Sequence, residues 1–145
     1  MMNKREILLA ALATGGKHSY TPVQIQKLLF LIEKNVAASI GGPFYDFQPY
    51  DYGPFDASVY SEVRALVRDG DASEEVTGAN WKCHTLTDQG VEKGAQLLAQ
   101  LPENAADYLR RAGEFVRGLS FSELVSSIYK AYPDMKANSV FREGH

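Results

Sequence analysis

The segment TPVQIQKLLFLIEKNV, residues 21–36, carries a full set of local helix signals. Thr21 can accept a capping hydrogen bond, Pro22 suits the first helical position, and Gln24 completes a capping box with Thr21. Apolar side chains then recur at helical spacing, at Ile25, Leu28, Leu29, Ile32 and Val36. The segment therefore predicts an amphipathic helix whose apolar stripe needs packing partners elsewhere in the chain.

Similar patterns predict five more helices and one hairpin. The helices cover residues 3–14, 57–69, 88–100, 102–117 and 120–132. The hairpin covers residues 72–87, ASEEVTGANWKCHTLT, with its turn at Gly78-Ala79-Asn80. Ahead of the third helix, YDFQPY is β-like but broken by Pro49, and DYGPFD reads as a turn that ends at Asp56, an N-cap.

The order of these elements, three helices followed by a hairpin and a further helix, is typical of winged-helix proteins. We expect one mainly α domain over residues 1–145. Its winged-helix-like part covers about residues 3–100, and two extra helices form a C-terminal extension at about residues 102–133.

Composition narrows the functional class. Apolar residues make up 45% and charged residues 23% of 145 residues, as in ordinary folded domains. There is no run of eighteen apolar residues, so we expect no membrane span. Cys83 is the single cysteine, which fits a reducing compartment, and we expect a cytoplasmic protein. A formal net charge of −3 does not favour nucleic acid as a partner.

No residue pattern predicts a catalytic, cofactor or metal site. Cys83 and His84 are neighbours in a predicted strand, so their side chains point to opposite faces. Neither a CxxC nor an HExxH spacing occurs, and no phosphate-binding loop is present. Asp46, Asp51 and Asp56 recur every five residues, which could suggest paired carboxylates for acid–base chemistry or a cation site. Ordinary structural roles explain them better: Asp46 is solvated, Asp51 lies in a turn, and Asp56 caps a helix.

The segment FYDFQPYDYGPFDASVY, residues 44–60, holds seven of the sixteen aromatic residues in the chain. Phe44, Phe47 and Phe55 can pack under the three-helix unit, and Tyr60 lies at a buried helical position. Tyrosine combines a large apolar ring with a polar tip and is enriched at protein interfaces. The predicted partner-binding residues are Tyr45, Tyr50, Tyr52, Gly53, Pro54 and Phe55.

Several motifs resemble those of one family. They are Gln26-Lys27-Leu28-Leu29-Phe30, Tyr52-Gly53-Pro54, Val59-Tyr60 and HTLTDQG at residues 84–90. Over about residues 20–100 the chain resembles the Panacea domain, also called SocA-like, and the related YwgA-like bacterial and phage-associated proteins. The resemblance implies a non-enzymatic antitoxin. Such a protein would neutralise a cognate toxin by direct contact, or deliver it to a protease as an adaptor.

A winged-helix DNA-binding regulator is the alternative. The third helix would then lie in the major groove, and Arg64, Arg68 and Lys82 would contact phosphates. Acidic residues in its first turns, Asp56 and Glu62, count against this function. So do the sixteen residues, 41–56, that separate the second and third helices, since DNA-reading helix pairs use a turn of three or four.

Overall fold

The computed structural model describes residues 2–78 and 82–141. Six helices and four short strands lie in this part of the chain. The helices are α1 (Lys4–Ala13), α2 (Pro22–Val36), α3 (Ala57–Arg68), α4 (Asp88–Gln100), α5 (Glu103–Arg117) and α6 (Phe121–Ala131). The strands are β1 (Gln48–Tyr50), β2 (Gly53–Phe55), β3 (Ala72–Val76) and β4 (Lys82–Leu86), and short 3₁₀ helices cover Ala37–Ile40 and Pro133–Lys136. The predicted mainly α fold, with a hairpin and two additional C-terminal helices, is confirmed.

Helix starts follow the caps expected from the sequence. The capping box at the start of α2 is formed, with Gln24 N–H donating to Thr21 Oγ1 over 3.2 Å and Thr21 N–H donating to Gln24 Oε1 over 2.8 Å. A second predicted box, Ser120 with Glu123, begins α6. These side chains satisfy backbone donors that a helix end leaves without partners.

Helix α2 lies at the centre of the molecule. It contacts α1, α3, α5, α6 and both hairpins, and residues 25–30 are buried without interruption. The predicted stripe residues, Ile25, Leu28, Leu29, Ile32 and Val36, are all buried, and over residues 25–30 burial extends beyond that stripe, whereas Lys34 and Asn35 near the end of the helix are exposed. Burial extends to two polar residues, Gln26 and Lys27, which are 1% and 3% exposed.

The second hairpin is joined to the segment before α2. Strands β3 and β4 are antiparallel, with Ala72 opposite Leu86 and Val76 opposite Lys82. Tyr20 and His84 exchange two backbone hydrogen bonds of 2.9 Å, so the chain between α1 and α2 adds a short bridge to β4. Of the predicted turn, Ala79 and Asn80 lie outside the described residues.

Two predictions about local structure are wrong. The β-like segment is confirmed at Gln48–Tyr50, but Pro49 does not break it, and the predicted turn is shorter than expected because Gly53–Phe55 forms β2, which pairs with β1. Phe115, predicted to be buried, is 46% exposed. It lies at the edge of the apolar stripe of α5, whose centre is formed by Leu109, Ala112 and Val116.

Candidate protein-binding surface

The hairpin formed by β1 and β2, residues 48–55, is called the aromatic hairpin below. Its strands are joined by a two-residue turn, Asp51-Tyr52, and Pro49 lies directly opposite Pro54. A hydrogen-bonded antiparallel pair exchanges two N–H donors, and proline has none. The two prolines therefore form a non-hydrogen-bonded pair, whose carbonyl groups point away from the partner strand. Neither edge of the hairpin offers an N–H at this position, which disfavours addition of another strand.

The outward carbonyl on each edge is bonded to the body of the protein. The Lys27 ammonium donates to the Pro54 carbonyl over 3.4 Å, and Asn138 Nδ2 donates to the Pro49 carbonyl over 3.1 Å. The Asp51 carbonyl accepts from Val140 N–H over 2.9 Å and from Ser139 Oγ over 3.2 Å. The aromatic hairpin is thus clamped by α2 on one edge and by residues 138–140 on the other.

Lys27 is an unusual clamp because its ammonium is buried. Among the described residues, no carboxylate forms an ion pair with it, and its acceptor is the Pro54 carbonyl. Burial lowers the pKa of Lys27 to about 8, since a charged amine loses its hydration inside the protein. Sequence reasoning recognised Lys27 only as part of a motif. The available signal was its position within a run of apolar residues on α2.

Gln26 fixes the next part of the chain. Its Nε2 donates to the Asp56 carbonyl and its Oε1 accepts from Asp56 N–H, each over 3.0 Å. Asp56 in turn caps α3, as predicted, by accepting from Ser58 N–H over 2.8 Å, and it also accepts from Asp46 N–H over 2.7 Å. Burial opposes ionisation of Asp56, but these hydrogen bonds outweigh it and lower its pKa.

The predicted partner-binding residues separate into exposed and buried sets. Tyr50 is 55% exposed, Tyr52 is 41% exposed, and Phe55 is half-buried. Gly53 and Pro54 are buried; Gly53 has φ of +103°, and a Cβ there would lie 3.3 Å from the Tyr129 ring.

Tyr45, which we expected on the surface, is 7% exposed. Its hydroxyl donates to the Lys4 carbonyl at the start of α1 over 2.8 Å, and its ring contacts Phe47. The expectation was wrong because a buried tyrosine needs only one polar partner, and a helix end that is distant in the sequence supplies it.

The exposed rings are held by other rings. Tyr50 stacks on Phe55 at 5.0 Å between centroids, and Phe55 meets Tyr60 edge-on at 5.4 Å. Tyr52 meets Phe121 of α6 edge-on at 5.2 Å. Phe121 is 38% exposed, and sequence reasoning missed it because it lies far along the chain. We call the set Tyr50, Tyr52, Phe55 and Phe121 the aromatic surface.

The residues predicted for DNA contact are only partly brought together. Arg64 and Lys82 line a cavity of about 250 Å³ between α3 and the second hairpin. Glu74 lines the same cavity, 4.0 Å from the Lys82 ammonium and 3.0 Å from His84 Nε2. Arg68 pairs instead with Asp69 at 3.3 Å. Acidic groups therefore accompany two of the three cations.

Within residues 2–78 and 82–141, no three or more His, Cys, Asp or Glu side chains are grouped so that they could hold a metal ion. His84 is buried and Cys83 is half-buried at successive positions of β4. None of the described helices has the length and hydropathy needed to cross a membrane. A comparison with known proteins finds no matching family model and no matching curated protein.

Proposed function

We propose that this chain is a non-enzymatic protein-binding module of the Panacea, or SocA-like, type. It neutralises a cognate toxin by direct contact, or delivers that toxin to a protease as an adaptor. The observation that carries the proposal is the aromatic surface. Tyr50 and Tyr52 are 55% and 41% exposed on a hairpin that the protein clamps on both edges, and Phe121 of α6, 38% exposed, packs against Tyr52.

Clamping favours binding because it reduces the entropy lost on association. Ordering a flexible side chain at an interface costs about 0.5–1.5 kcal/mol. The rings of Tyr50 and Tyr52 already pack against Phe55 and Phe121, so much of that ordering precedes the partner. Exposed tyrosines in such a setting are typical energetic centres of protein interfaces.

Residues of the motifs that resemble the family contact the aromatic hairpin from the interior of the protein. Gln26 and Lys27 bond the backbone of Asp56 and Pro54, on the two sides of Phe55. In this proposal Gln26 and Lys27 hold the hairpin that carries the rings in place, and the partner contacts the rings themselves. Gly53 has a similar role, because its small size lets the hairpin lie close to Tyr129.

DNA binding remains the second candidate, and one observation favours it. The backbone bridge between Tyr20 and His84 attaches the segment before α2 to the second hairpin, as expected of a winged-helix arrangement. The charges do not support phosphate contact equally well. Glu74 lies beside Lys82, Asp69 is paired with Arg68, and the start of α3 is tied to Gln26.

The test expresses the products of the neighbouring open reading frames, selects one that is toxic alone, and measures rescue of growth by this chain and binding by calorimetry. We expect the double change Tyr50→Ala and Tyr52→Ala to abolish rescue and weaken binding at least about 30-fold, the effect of losing an interface hot spot. Phe115→Ala is the control, because Phe115 is an exposed aromatic residue of α5 that does not belong to the aromatic surface.

Unchanged affinity of the correctly folded double variant would refute the proposal. A gel shift with the chain's own upstream DNA, steeply weakened by salt and lost in Arg64→Ala, would instead establish the DNA-binding alternative.

A further inference from the structure

The chemistry of the partner can be inferred from the charges around the aromatic surface. Residues 35–63 contain four acidic residues and no lysine or arginine. Three of the acids already have partners: Glu62 pairs with Arg5 at 2.9 Å, Asp56 caps α3, and Asp46 accepts from Gln48 Nε2 over 2.9 Å. The fourth is Asp51.

Asp51 lies in the turn of the aromatic hairpin, between the two exposed tyrosines. Its carbonyl is bonded to Ser139 and Val140, but its exposed carboxylate has no hydrogen bond or ion pair with any described residue. Within residues 2–78 and 82–141, no lysine or arginine lies over a ring of the aromatic surface. Lys136, which follows α6, lies over the Tyr129 ring instead, at 5.8 Å.

We infer that the aromatic surface binds an arginine-bearing segment of the partner protein, with the guanidinium against Tyr50 or Tyr52 and paired with Asp51. This inference rests on the proposed function. Aromatic faces carry partial negative charge and attract cations, and the planar guanidinium both stacks on a ring and pairs with a carboxylate. Lysine matches this surface less well, because its ammonium is compact and strongly hydrated.

Two other kinds of partner fit less well. An added β-strand would need free backbone groups at a hairpin edge, and the carbonyls of Pro49 and Pro54 are already bonded. Nucleic acid would place its phosphates beside the carboxylate of Asp51, which is exposed and forms no ion pair with any described lysine or arginine, and the two negative charges would repel each other.

The test measures fluorescence anisotropy of labelled Gly-Ser peptides that carry four arginines, four lysines or four citrullines. We expect the arginine peptide to bind tightest and the citrulline peptide, which has a neutral side chain of the same shape, to bind weakest. Asp51→Asn should weaken arginine-peptide binding by about 1.5-fold to fivefold, as expected of one exposed charge pair. Glu92→Gln is the matched control, because it removes one exposed negative charge from α4.

Equal binding of the arginine and citrulline peptides would overturn the inference, as would equal effects of Asp51→Asn and Glu92→Gln. The native partner separates this failure from that of the proposed function. If the double change Tyr50→Ala and Tyr52→Ala weakens binding of the native partner and Asp51→Asn does not, only the arginine inference fails. If none of these changes weakens it, both fail.

Discussion

Replacing Lys27 by methionine tests the physical picture of the clamp. Lys27 is 3% exposed, and its ammonium has the Pro54 carbonyl as its acceptor at 3.4 Å and pairs with no described carboxylate. Methionine is unbranched and of similar length, so Lys27→Met removes the charge with little change of shape. The change also leaves the Pro54 carbonyl without its donor, which costs about 1–3 kcal/mol at every pH.

The effect of the charge can be isolated through its pH dependence. The pKa of Lys27 is about 8 in the folded protein, against 10.5 for the free side chain. A difference of about 2.5 pKa units corresponds to about 3 kcal/mol of destabilisation when the amine is protonated in both states.

Below pH 8 this penalty is fully present. Between pH 8 and 10.5 the folded protein releases the proton while the unfolded chain keeps it. The unfolded chain then binds more protons, so the stability of the wild type rises with pH.

Urea unfolding of both proteins at pH 7, 8, 9 and 10 measures this difference. Tyrosines that ionise at high pH are common to both proteins and cancel when the two free energies of unfolding are subtracted. We expect the free energy of unfolding of the wild type to rise by about 2–3 kcal/mol relative to that of Lys27→Met between pH 7 and pH 10. A difference that does not vary with pH would mean that the ammonium is hydrated. A wild type that loses stability relative to the variant would mean that an anion pairs with Lys27. Either result refutes the reasoning.

Two further predictions concern stability. Gly90→Ala places a Cβ 1.9 Å from the Asp71 carbonyl oxygen and should lower the free energy of unfolding by at least about 2 kcal/mol. Gly78→Ala is the control, because a Cβ there meets nothing within 4 Å, and it should change the free energy of unfolding by less than about 0.5 kcal/mol. Equal effects of the two changes in thermal unfolding would contradict the packing around Gly90. Asp56→Ala should destabilise the protein by about 1–2 kcal/mol at pH 7 through loss of the α3 cap. Because the folded state lowers the pKa of Asp56 from its ordinary value of 3.8, the contribution of the carboxylate is present above that pH and is lost as the pH falls through the folded-state pKa; a destabilisation by Asp56→Ala that does not shrink as the pH is lowered would exclude the carboxylate as its source.

Local signals in the sequence were sufficient to predict the helices. The boxes at Thr21 and Ser120, and the cap at Asp56, act within three residues of the backbone groups that they satisfy. Such interactions depend little on the rest of the fold, so a pattern of neighbours predicts them. The alternation of Cys83 and His84 in β4 was predictable for the same reason.

The sequence by itself determined the helices, the second hairpin and the concentration of rings in residues 44–60. Tertiary packing decided which rings face outward: it buried Tyr45, whose hydroxyl bonds to the Lys4 carbonyl of α1, and it brought Phe121 of α6 to Tyr52. It also turned Gln26 and Lys27 into buried supports for the aromatic hairpin. The physical reason is range. A cap is formed by residues three apart, but the burial of a ring or an ammonium depends on which distant segment covers it.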